Sequence, residues 1–446
     1  MFHISFWLTA QAALLLAMHW VPVSAQVLTE KKFAVAAEAE VLLDLTASAP
    51  GAAWLEKSRE AATATIYVDG RYHQDVILFN GARPHTYQLL LGRLQPGDHN
   101  YRIEFNRQQS APQATTIEIK DAKLTFVERG QPEFLALAHA PLLYARANTI
   151  GKFSDVPLLA YYETERRGSN TLLRYTVIFS NEDGGTQTSA LMARWGRTTD
   201  IEYVCETELD AQGRAIKTIF QGVNHKDTEF SGKLEADHPV FLTASDNNNF
   251  SDKGASAMRF ALRPLPFDLS KASRETVMDA HPWTYRVMAD EMAREGKLTN
   301  ERTLGVRIAD FRHYLFVDAN STLRNGALLS FAVKLKGDPK WYPSDLGINY
   351  YKIDRSGFIR STIRLPQAIK SQQIERLSVR CDVPGNPRSR EEIEKTTAAA
   401  CELHSINKVL VMDNSTQPQA LSTCFGAATL AFGEAAELKT GCNGKR

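Results

Sequence analysis

Apolar and polar residues alternate along most of the chain, and this period of two is typical of half-buried β-strands. Between residues 26 and 129 the alternating runs are short and closely spaced: ATATIYVDG, QDVILF, TYQLLLGRL, HNYRIEF, TTIEIK and KLTFV. Turn signals separate these runs at Asp69-Gly70, Asn80-Gly81 and Pro96-Gly97. Short strands joined by tight turns within about 100 residues predict a small β-sandwich.

The chain beyond residue 130 is also rich in strand-like runs, but it contains one stretch with a different period. Val277, Tyr285, Met288 and Met292 are spaced so that they share one face of a helix. The sequence therefore predicts a short helical insert over residues 270–298, after which strand-like runs return.

These patterns predict a mostly β fold with two domains. The first, residues 26–129, resembles immunoglobulin and fibronectin modules, on the pattern of a Pro-Gly turn followed by a strand in LQPGDHNYRIEF. The second, residues 130–446, is expected to be a larger jelly-roll-like β-sandwich that contains the helical insert and ends in a cysteine-bearing tail over 376–446.

Composition narrows the classes of partner. The 446 residues exceed one ordinary hydrophobic core, so more than one domain is expected. With 52 basic and 51 acidic residues the formal net charge is +1. This balance, without runs of Lys or Arg, gives no electrostatic basis for binding nucleic acid, which is therefore excluded as a predicted partner.

The first 25 residues are mostly apolar and uncharged, and they end in the small-residue pattern Val23-Ser24-Ala25. This pattern predicts a signal peptide that is cleaved after Ala25, and hence a secreted or periplasmic protein. An uncleaved anchor is the alternative, because no Lys or Arg precedes the apolar run. No later run reaches the ~18 apolar residues of a membrane span, so the mature chain is expected to have none.

The cysteines agree with export, because four of the five lie close together near the end of the chain. The simplest pairing is local, Cys381 with Cys401 and Cys424 with Cys442, although four cysteines permit three connectivities. The remaining cysteine, Cys205, follows Glu202 on a predicted strand and is expected to be a buried free thiol.

Candidate chemistry lies around residues 172–230, where strand-like runs lead into acidic residues and a histidine. Asp200 and Glu202 are two positions apart in a strand, so they lie side by side while Ile201 points to the opposite face. Two neighbouring carboxylates repel each other unless a cation, a shared proton or an arginine neutralises them. Asp183 and His225 end the neighbouring runs and are expected nearby.

The heptad Gly196-Arg197-Thr198-Thr199-Asp200-Ile201-Glu202 resembles the GHRHDWE motif of the necrosis-inducing, NPP-type secreted proteins, the NLP family of cytolysins. RYTVIFSNED and FQGVNHK resemble flanking strands of that family, so the resemblance spans about residues 138–230. The HAPLLYA start and the GDWE-like heptad also resemble the vacuolar-protein-sorting-associated family.

The NLP resemblance implies a β-sandwich that holds a divalent cation through Asp183, Asp200 and Glu202. The two histidines of the heptad are replaced here by Arg197 and Thr199, which removes possible metal ligands. The family's lipid binding and cell killing are therefore not carried over to this chain.

Carboxylate oxygens suit Ca²⁺, Mg²⁺ or Mn²⁺ better than Zn²⁺, so a divalent cation is the predicted cofactor. Glu202 and His225 are the candidate catalytic residues, with the imidazole as proton carrier. Two alternatives remain: a solvated ion-pair cluster with Arg174, Arg194 or Arg197, and a carboxylate pair that acts as acid and base.

A polar loop, TASDNNNFSDKG over residues 243–254, supplies further oxygen donors. Asp246, Asn248 and Asn249, together with Arg197, are the candidate ligand-binding residues. An ordinary turn built by Asn and Asp side chains is the alternative for this loop. Aromatic residues at Trp341, Tyr342, Tyr350 and Tyr351 form either a platform for sugar rings or part of the core.

The predicted function is an exported protein that acts on a polysaccharide or glycoconjugate, as a divalent-cation-assisted hydrolase or lyase. A non-catalytic, NLP-like glycan or glycolipid binder and a structural envelope protein are the alternatives, so the sequence leaves catalysis open. It contains no GxSxG elbow, HExxH helix, Walker loop or GxGxxG fingerprint, which argues against serine hydrolases, zincins, kinases and dehydrogenases.

Overall fold

Strands dominate the protein, which confirms the predicted mostly β fold class. The computed structural model describes residues 26–146, 153–182, 184–301, 305–383, 385, 394, 396, 398–421 and 425–438. Within these residues the strands form five sheets. The predicted signal peptide, Asp183, Cys424 and Cys442 lie outside the described residues.

Seven strands build an N-terminal sandwich: β1 (Gln26–Val35), β2 (Ala39–Ser48), β3 (Ala62–Val68), β4 (Arg71–Leu78), β5 (His85–Leu94), β6 (Gly97–Phe105) and β7 (Glu118–Glu128). One sheet has the order β1-β6-β3-β4 and the other the order β5-β2-β7. Asp69 and Gly70, both with positive φ, form the two-residue hairpin turn between β3 and β4 that their sequence predicts.

A larger sheet follows, with short helices α1 (Phe134–Ala138) and α2 (Thr188–Trp195) beside it. Its strands are β8 (Leu142–Tyr144), β9 (Pro157–Arg167), β10 (Asn170–Phe179), β11 (Asp200–Leu209), β12 (Ala215–Gly222), β13 (Lys226–Glu229), β14 (Leu234–Glu235), β15 (His238–Thr243), β16 (Phe250–Ser251), β17 (Arg259–Phe260) and β18 (Leu265–Pro266). The order is β17-β8-β15-β16-β12-β11-β10-β9-β18, with β13 beside β12 and β14 beside β15.

The helical insert is present as two helices, α3 (Thr276–Ala280) and α4 (Trp283–Arg294), which Pro282 separates. Their shared apolar face packs against one side of the larger sheet, where the contacting side chains include Ile178 and Ile201. Met288 and Met292 are fully buried there, as the helical spacing predicts. Among the described residues, no helix combines the length and apolar character needed to cross a membrane.

The last strands form a second sandwich with its own core: β19 (Tyr314–Arg324), β20 (Leu328–Leu335), β21 (Trp341–Pro343), β22 (Gly357–Arg364), β23 (Ile374–Asp382), β24 (Ala400–Met412), β25 (Pro418–Ala420), β26 (Ala428–Ala431) and β27 (Ala435–Leu438). One sheet has the order β22-β19-β24-β25, with β26 also on β24, and the other has the order β21-β20-β23-β27. The alternating sequence pattern did not separate this C-terminal sandwich from the larger sheet. The predicted domain boundaries stay a prediction.

The predicted disulfide between Cys381 and Cys401 is present and joins β23 to β24, one strand from each sheet of the C-terminal sandwich. Both sulfurs belong to fully buried residues of its core. Cys205 is a buried free cysteine in the larger sheet, as expected from its strand position.

A buried arginine joins the C-terminal sandwich to the helical insert. Arg360 on β22 is fully inaccessible, and its Nη2 lies 2.7 Å from the carboxylates of both Asp318 and Asp279. Its Nη1 donates to the hydroxyl of Tyr285 on α4, and Lys408 also pairs with Asp279 at 2.7 Å. The guanidinium therefore compensates carboxylates from two parts of the fold at once.

We expect Arg360→Met to lower the free energy of unfolding by about 3–5 kcal/mol, because it leaves buried carboxylates without their main counter-charge. Denaturant-induced unfolding followed by circular dichroism measures this loss. The matched control is Arg324→Met, which removes an exposed, solvent-screened pair with Glu402 and should change the free energy of unfolding little. Equal losses in the two variants would contradict the role given to Arg360.

Candidate functional site

The site begins where α2 turns into β11. Gly196 ends α2 in the left-handed conformation, with φ of 65°, and its N–H donates to the Met192 carbonyl at 2.9 Å. A Cβ at Gly196 would lie 3.0 Å from side-chain atoms of Arg360 and Thr362, so both the turn and the packing favour glycine. This tight turn fixes the point at which Asp200 enters the sheet.

Strand alternation then places Asp200 and Glu202 on one face of β11, opposite Phe179 and Val177 of β10. Ile201 points the other way and is completely buried against the helical insert. Both carboxyl residues are themselves buried, with Asp200 1% and Glu202 8% exposed. The apolar side chain between them therefore anchors the strand that holds the acidic pair inside the protein.

The two carboxyl groups lie close enough that each is a cause of the pKa shift of the other, so the fold disfavours a negative charge on both at once. Burial, followed by the negative charge of Asp200, raises the pKa of Glu202 to about 9. Burial also raises the pKa of Asp200, although the positive charge of Arg197 opposes this shift. Gln221 on β12 donates its side-chain amide to Glu202.

A third carboxylate, Glu182, lies close to this pair and was missed in the sequence. Its N–H donates to the Thr198 carbonyl at 3.1 Å, and its Oε1 accepts from the N–H of Thr186 at 2.8 Å. Burial and the charge of Asp200 raise the pKa of Glu182 to about 7. The sequence indicated the adjacent Asp183, which matches the acidic residue of the NLP pattern. The pair of neighbouring acidic residues, Glu182 and Asp183, was the available signal for Glu182.

The predicted polar loop, residues 243–254, extends to the buried pair of Asp200 and Glu202. Asn248 is 0% exposed, and its Nδ2 donates to Asp200 Oδ2 at 3.0 Å. The other amide atom, Asn248 Oδ1, is buried without a hydrogen-bond partner. Asn249 is 2% exposed and its N–H donates to Ser245 Oγ at 3.0 Å, which closes the loop on itself. A buried acceptor without a donor next to two carboxyl groups is unfavourable unless a water molecule or a positively charged ligand occupies the space.

Glycine allows the chain after Glu182 to approach this loop closely. A Cβ on Gly184 would lie 2.7 Å from the Cβ of Asp246, a distance that real Cβ atoms do not adopt. Asp246 itself is mostly exposed and pairs with Arg146 at 3.1 Å. The loop therefore contributes buried amides from Asn248 and Asn249, whereas Asp246 lies at its outer edge.

His225 forms the exposed rim of the site. Its Nδ1 lies 3.9 Å from Glu202 Oε2, and 53% of its side chain is accessible. The side-chain amides of Asn247 and Asn249 lie 2.7 Å and 3.3 Å from its two ring nitrogens. Asn224 and His225 both have positive φ, 61° and 56°, which turns the imidazole toward the carboxylates.

The arginines that were candidates to neutralise the pair have other partners. Arg197 pairs with Glu275 at 3.2 Å, Arg194 pairs with Asp354 at 2.6 Å, and Arg174 donates to Glu206. Within the described residues, no arginine or lysine forms an ion pair with either carboxyl group. Arg197 is 3% exposed, so we expect no direct ligand contact from this predicted ligand-binding residue.

The acidic and histidine side chains do not by themselves make a preformed metal cage. Within the part of the chain that the structure describes, no group of three or more His, Cys, Asp or Glu residues has the arrangement of a metal site. Asp183, which lies outside the described residues, is not included in this finding. Asp200, Glu202 and the unpaired Asn248 Oδ1 do provide the oxygen donors that hard cations prefer, so the predicted cation stays a prediction.

No protein-family model matches the chain. No curated protein matches it either. Solved structures that match include NLPPya in complex with mannosamine, with 11% identity over 30% of this chain and 71% of that chain and a TM-score of 0.22. NLPPya in complex with glucosamine matches with 12% identity over the same shares and the same TM-score of 0.22.

A two-domain structure of Extended-Synaptotagmin 2 aligns over 96% of this chain and 86% of that chain, with 7% identity and a TM-score of 0.09. The similarity to NLPPya covers only part of this chain, and TM-scores this low support no conclusion about function.

We expect Asp200→Asn to stabilise the protein in the presence of a chelator by about 1 kcal/mol or more, because the amide removes repulsion and can donate to Glu202. The gain should grow between roughly pH 4.5 and 9. Over this range Glu202 ionises in the unfolded chain but resists ionisation at its raised pKa of about 9 in the fold, so the wild type loses stability as pH rises.

Thermal unfolding in EDTA at several pH values measures this difference. Glu206→Gln is the matched control, because Glu206 lies on the same strand but already has Arg174 as its partner. A gain from Glu206→Gln as large as that from Asp200→Asn would contradict the repulsion between Asp200 and Glu202.

Proposed function

We propose that the protein is a divalent-cation-dependent glycan-binding protein whose cation binds to Asp200, Glu202 and Asn248 beneath His225. One observation supports this most directly. Two buried carboxyl groups lie close together next to a buried amide oxygen that has no partner. Among the described residues no arginine or lysine forms an ion pair with either of them, and Arg274 nearby donates instead to the Ile201 carbonyl at 3.0 Å. A cation would satisfy all three groups together.

The donor set favours Ca²⁺, Mg²⁺ or Mn²⁺, since every candidate atom is an oxygen. Asp200 and Glu202 would supply carboxylates and Asn248 its free Oδ1, with Glu182 as a further carboxylate nearby. When bound, such a cation supplies positive charge that an oxygen-rich ligand can share. Residues of this chain would hold that charge at the bottom of the site and leave its outer side to the ligand.

The exposed rim suits sugar hydroxyls, which both donate and accept hydrogen bonds. His225 presents an exposed imidazole ring at the surface, hydrogen-bonded to the Asn247 amide and next to the accessible Val223. The Cys381–Cys401 disulfide agrees with the proposed location outside the cytoplasm, where glycans are plentiful and disulfides persist.

The contact between Asp200 and Glu202 favours binding over two-carboxylate hydrolysis. Such hydrolysis needs carboxyl groups about 5–5.5 Å apart for a retaining reaction and about 6.5–9.5 Å apart for an inverting one. Asp200 and Glu202 instead project side by side from the same face of one strand, so they do not flank a sugar from opposite sides. His225, 3.9 Å from Glu202, is the residue that a lyase-type proton transfer would use. Catalytic turnover of glycans is therefore measured together with binding in the glycan-array experiment below.

Calorimetric titration with Ca²⁺, Mg²⁺ and Mn²⁺ tests the cation site. We expect saturable binding of at least one of these ions to the wild type, and affinity about tenfold or more lower in Asp200→Asn, which loses one ligand charge. Glu206→Gln should bind like the wild type, because Glu206 pairs with Arg174. No binding by the wild type, or equal binding by all three proteins, would refute the proposed site.

A printed glycan array, probed with calcium and then with EDTA, tests the ligand class. We expect at least one group of glycans to be retained only with calcium, so that EDTA abolishes the retention of this group and His225→Ala weakens it, because the imidazole forms the rim of the site. No new reducing ends and no unsaturated-uronate absorbance should appear on prolonged incubation with the retained glycans. Product formation that His225→Ala abolishes would replace the binding function with a catalytic one.

A further inference from the structure

The C-terminal sandwich carries a groove on the outer face of its sheet β21-β20-β23-β27. Its volume is about 630 Å³, which is within the usual range of small-ligand sites. The cation site proposed above lies on β11 of the larger sheet, and the two sites share no lining residue. The groove is therefore a separate feature of the molecule.

Strand alternation builds the floor of the groove from small side chains. On β20, Phe331 and Val333 point into the core, so Ser330 and Ala332 point outward. Ala332 pairs in register with Ser378 on β23, and Ser330 pairs with Arg380. A floor of serine and alanine lets a flat ligand approach the sheet closely.

Trp341 forms one wall of the groove. It lies on the edge strand β21, and 37% of its surface is accessible. The next residue, Tyr342, packs against the core and donates its hydroxyl to Asp338 at 2.6 Å, which fixes the short strand. This arrangement directs the indole of Trp341 outward, toward the side of the sheet that carries Ala332.

Charged residues surround the groove in compensated pairs. Lys352 Nζ lies 2.7 Å from Asp382 and 3.7 Å from Asp345, and Arg380 Nε lies 3.0 Å from Asp382. Glu437, which also lines the groove, pairs with Arg376 at 2.8 Å, so each acidic residue of the lining has a basic partner. An ionic ligand would have to separate these pairs, whereas hydroxyl groups can donate to the carboxylates and accept from the cationic groups.

We propose that this groove binds a neutral oligosaccharide, with a sugar ring stacked on Trp341 and its hydroxyl groups bonded to Lys352, Asp382 and Arg380. The partial negative charge on the face of an indole attracts the weakly positive C–H bonds of a pyranose ring. Only the class of ligand, a glycan, rests on the proposed function, since this groove needs no cation. It gives the protein a second contact with a glycan chain.

The test uses the full chain in EDTA, so that the cation site does not contribute. Binding to a printed array of neutral and acidic glycans is measured first, and calorimetry with the best-retained neutral oligosaccharide follows. We expect retention of neutral glycans in EDTA, affinity about tenfold or more lower in Trp341→Ala, and partial recovery in Trp341→Phe. Binding should quench Trp fluorescence in the wild type.

Tyr350→Ala is the matched control, because it removes another exposed aromatic residue, 53% accessible, that does not line the groove. Because these measurements are made in EDTA, their outcome does not depend on the cation site, which separates failure of this inference from failure of the proposed function. Absence of any neutral glycan binding in EDTA would overturn the proposal. Equal affinity of Trp341→Ala and wild type, or retention of acidic glycans alone, would overturn it as well.

Discussion

The contact between the carboxyl groups of Asp200 and Glu202 is the interaction on which the candidate site depends. Two acidic groups are held together inside the protein, where each disfavours ionisation of the other. The sheet keeps them there because Ile201, between them, is buried in the core against the helical insert. The packing energy of an apolar side chain thereby maintains an electrostatic arrangement that is unfavourable until positive charge is supplied.

The same strand connects the site to the rest of the fold. The turn at Gly196 packs against Arg360, the guanidinium that also joins the C-terminal sandwich to the helical insert through Asp279 and Asp318. The turn before β11 therefore packs against the aliphatic part of a side chain more than a hundred residues away in the chain. The short turn at Gly196 thus lies between the ion pairs of Arg360 and the strand that carries Asp200 and Glu202.

The proposed cation site and the proposed groove use the alternation of side chains along a β-strand in opposite ways. At β11, alternation puts polar side chains on a covered face, and their burial creates a need for a counter-charge. At β20 and β23, alternation puts Ser330, Ala332 and Ser378 on an open face, where small size creates space beside Trp341. In the two proposals, the first arrangement would select a ligand by charge and the second by shape and hydrogen bonding.

Local pattern in the sequence was sufficient for the strands, the helical insert and the shared face of Asp200 and Glu202, because each depends on spacing along the chain. It made Cys381–Cys401 the simplest pairing but left three connectivities open, and the fold decided between them. It could not supply Glu182, the unpaired Asn248 oxygen or the partners of Arg197, and it merged the C-terminal sandwich with the larger sheet. Those features depend on contacts between residues far apart in the chain. Only the tertiary structure determines which distant groups become neighbours and how deeply water is excluded from them.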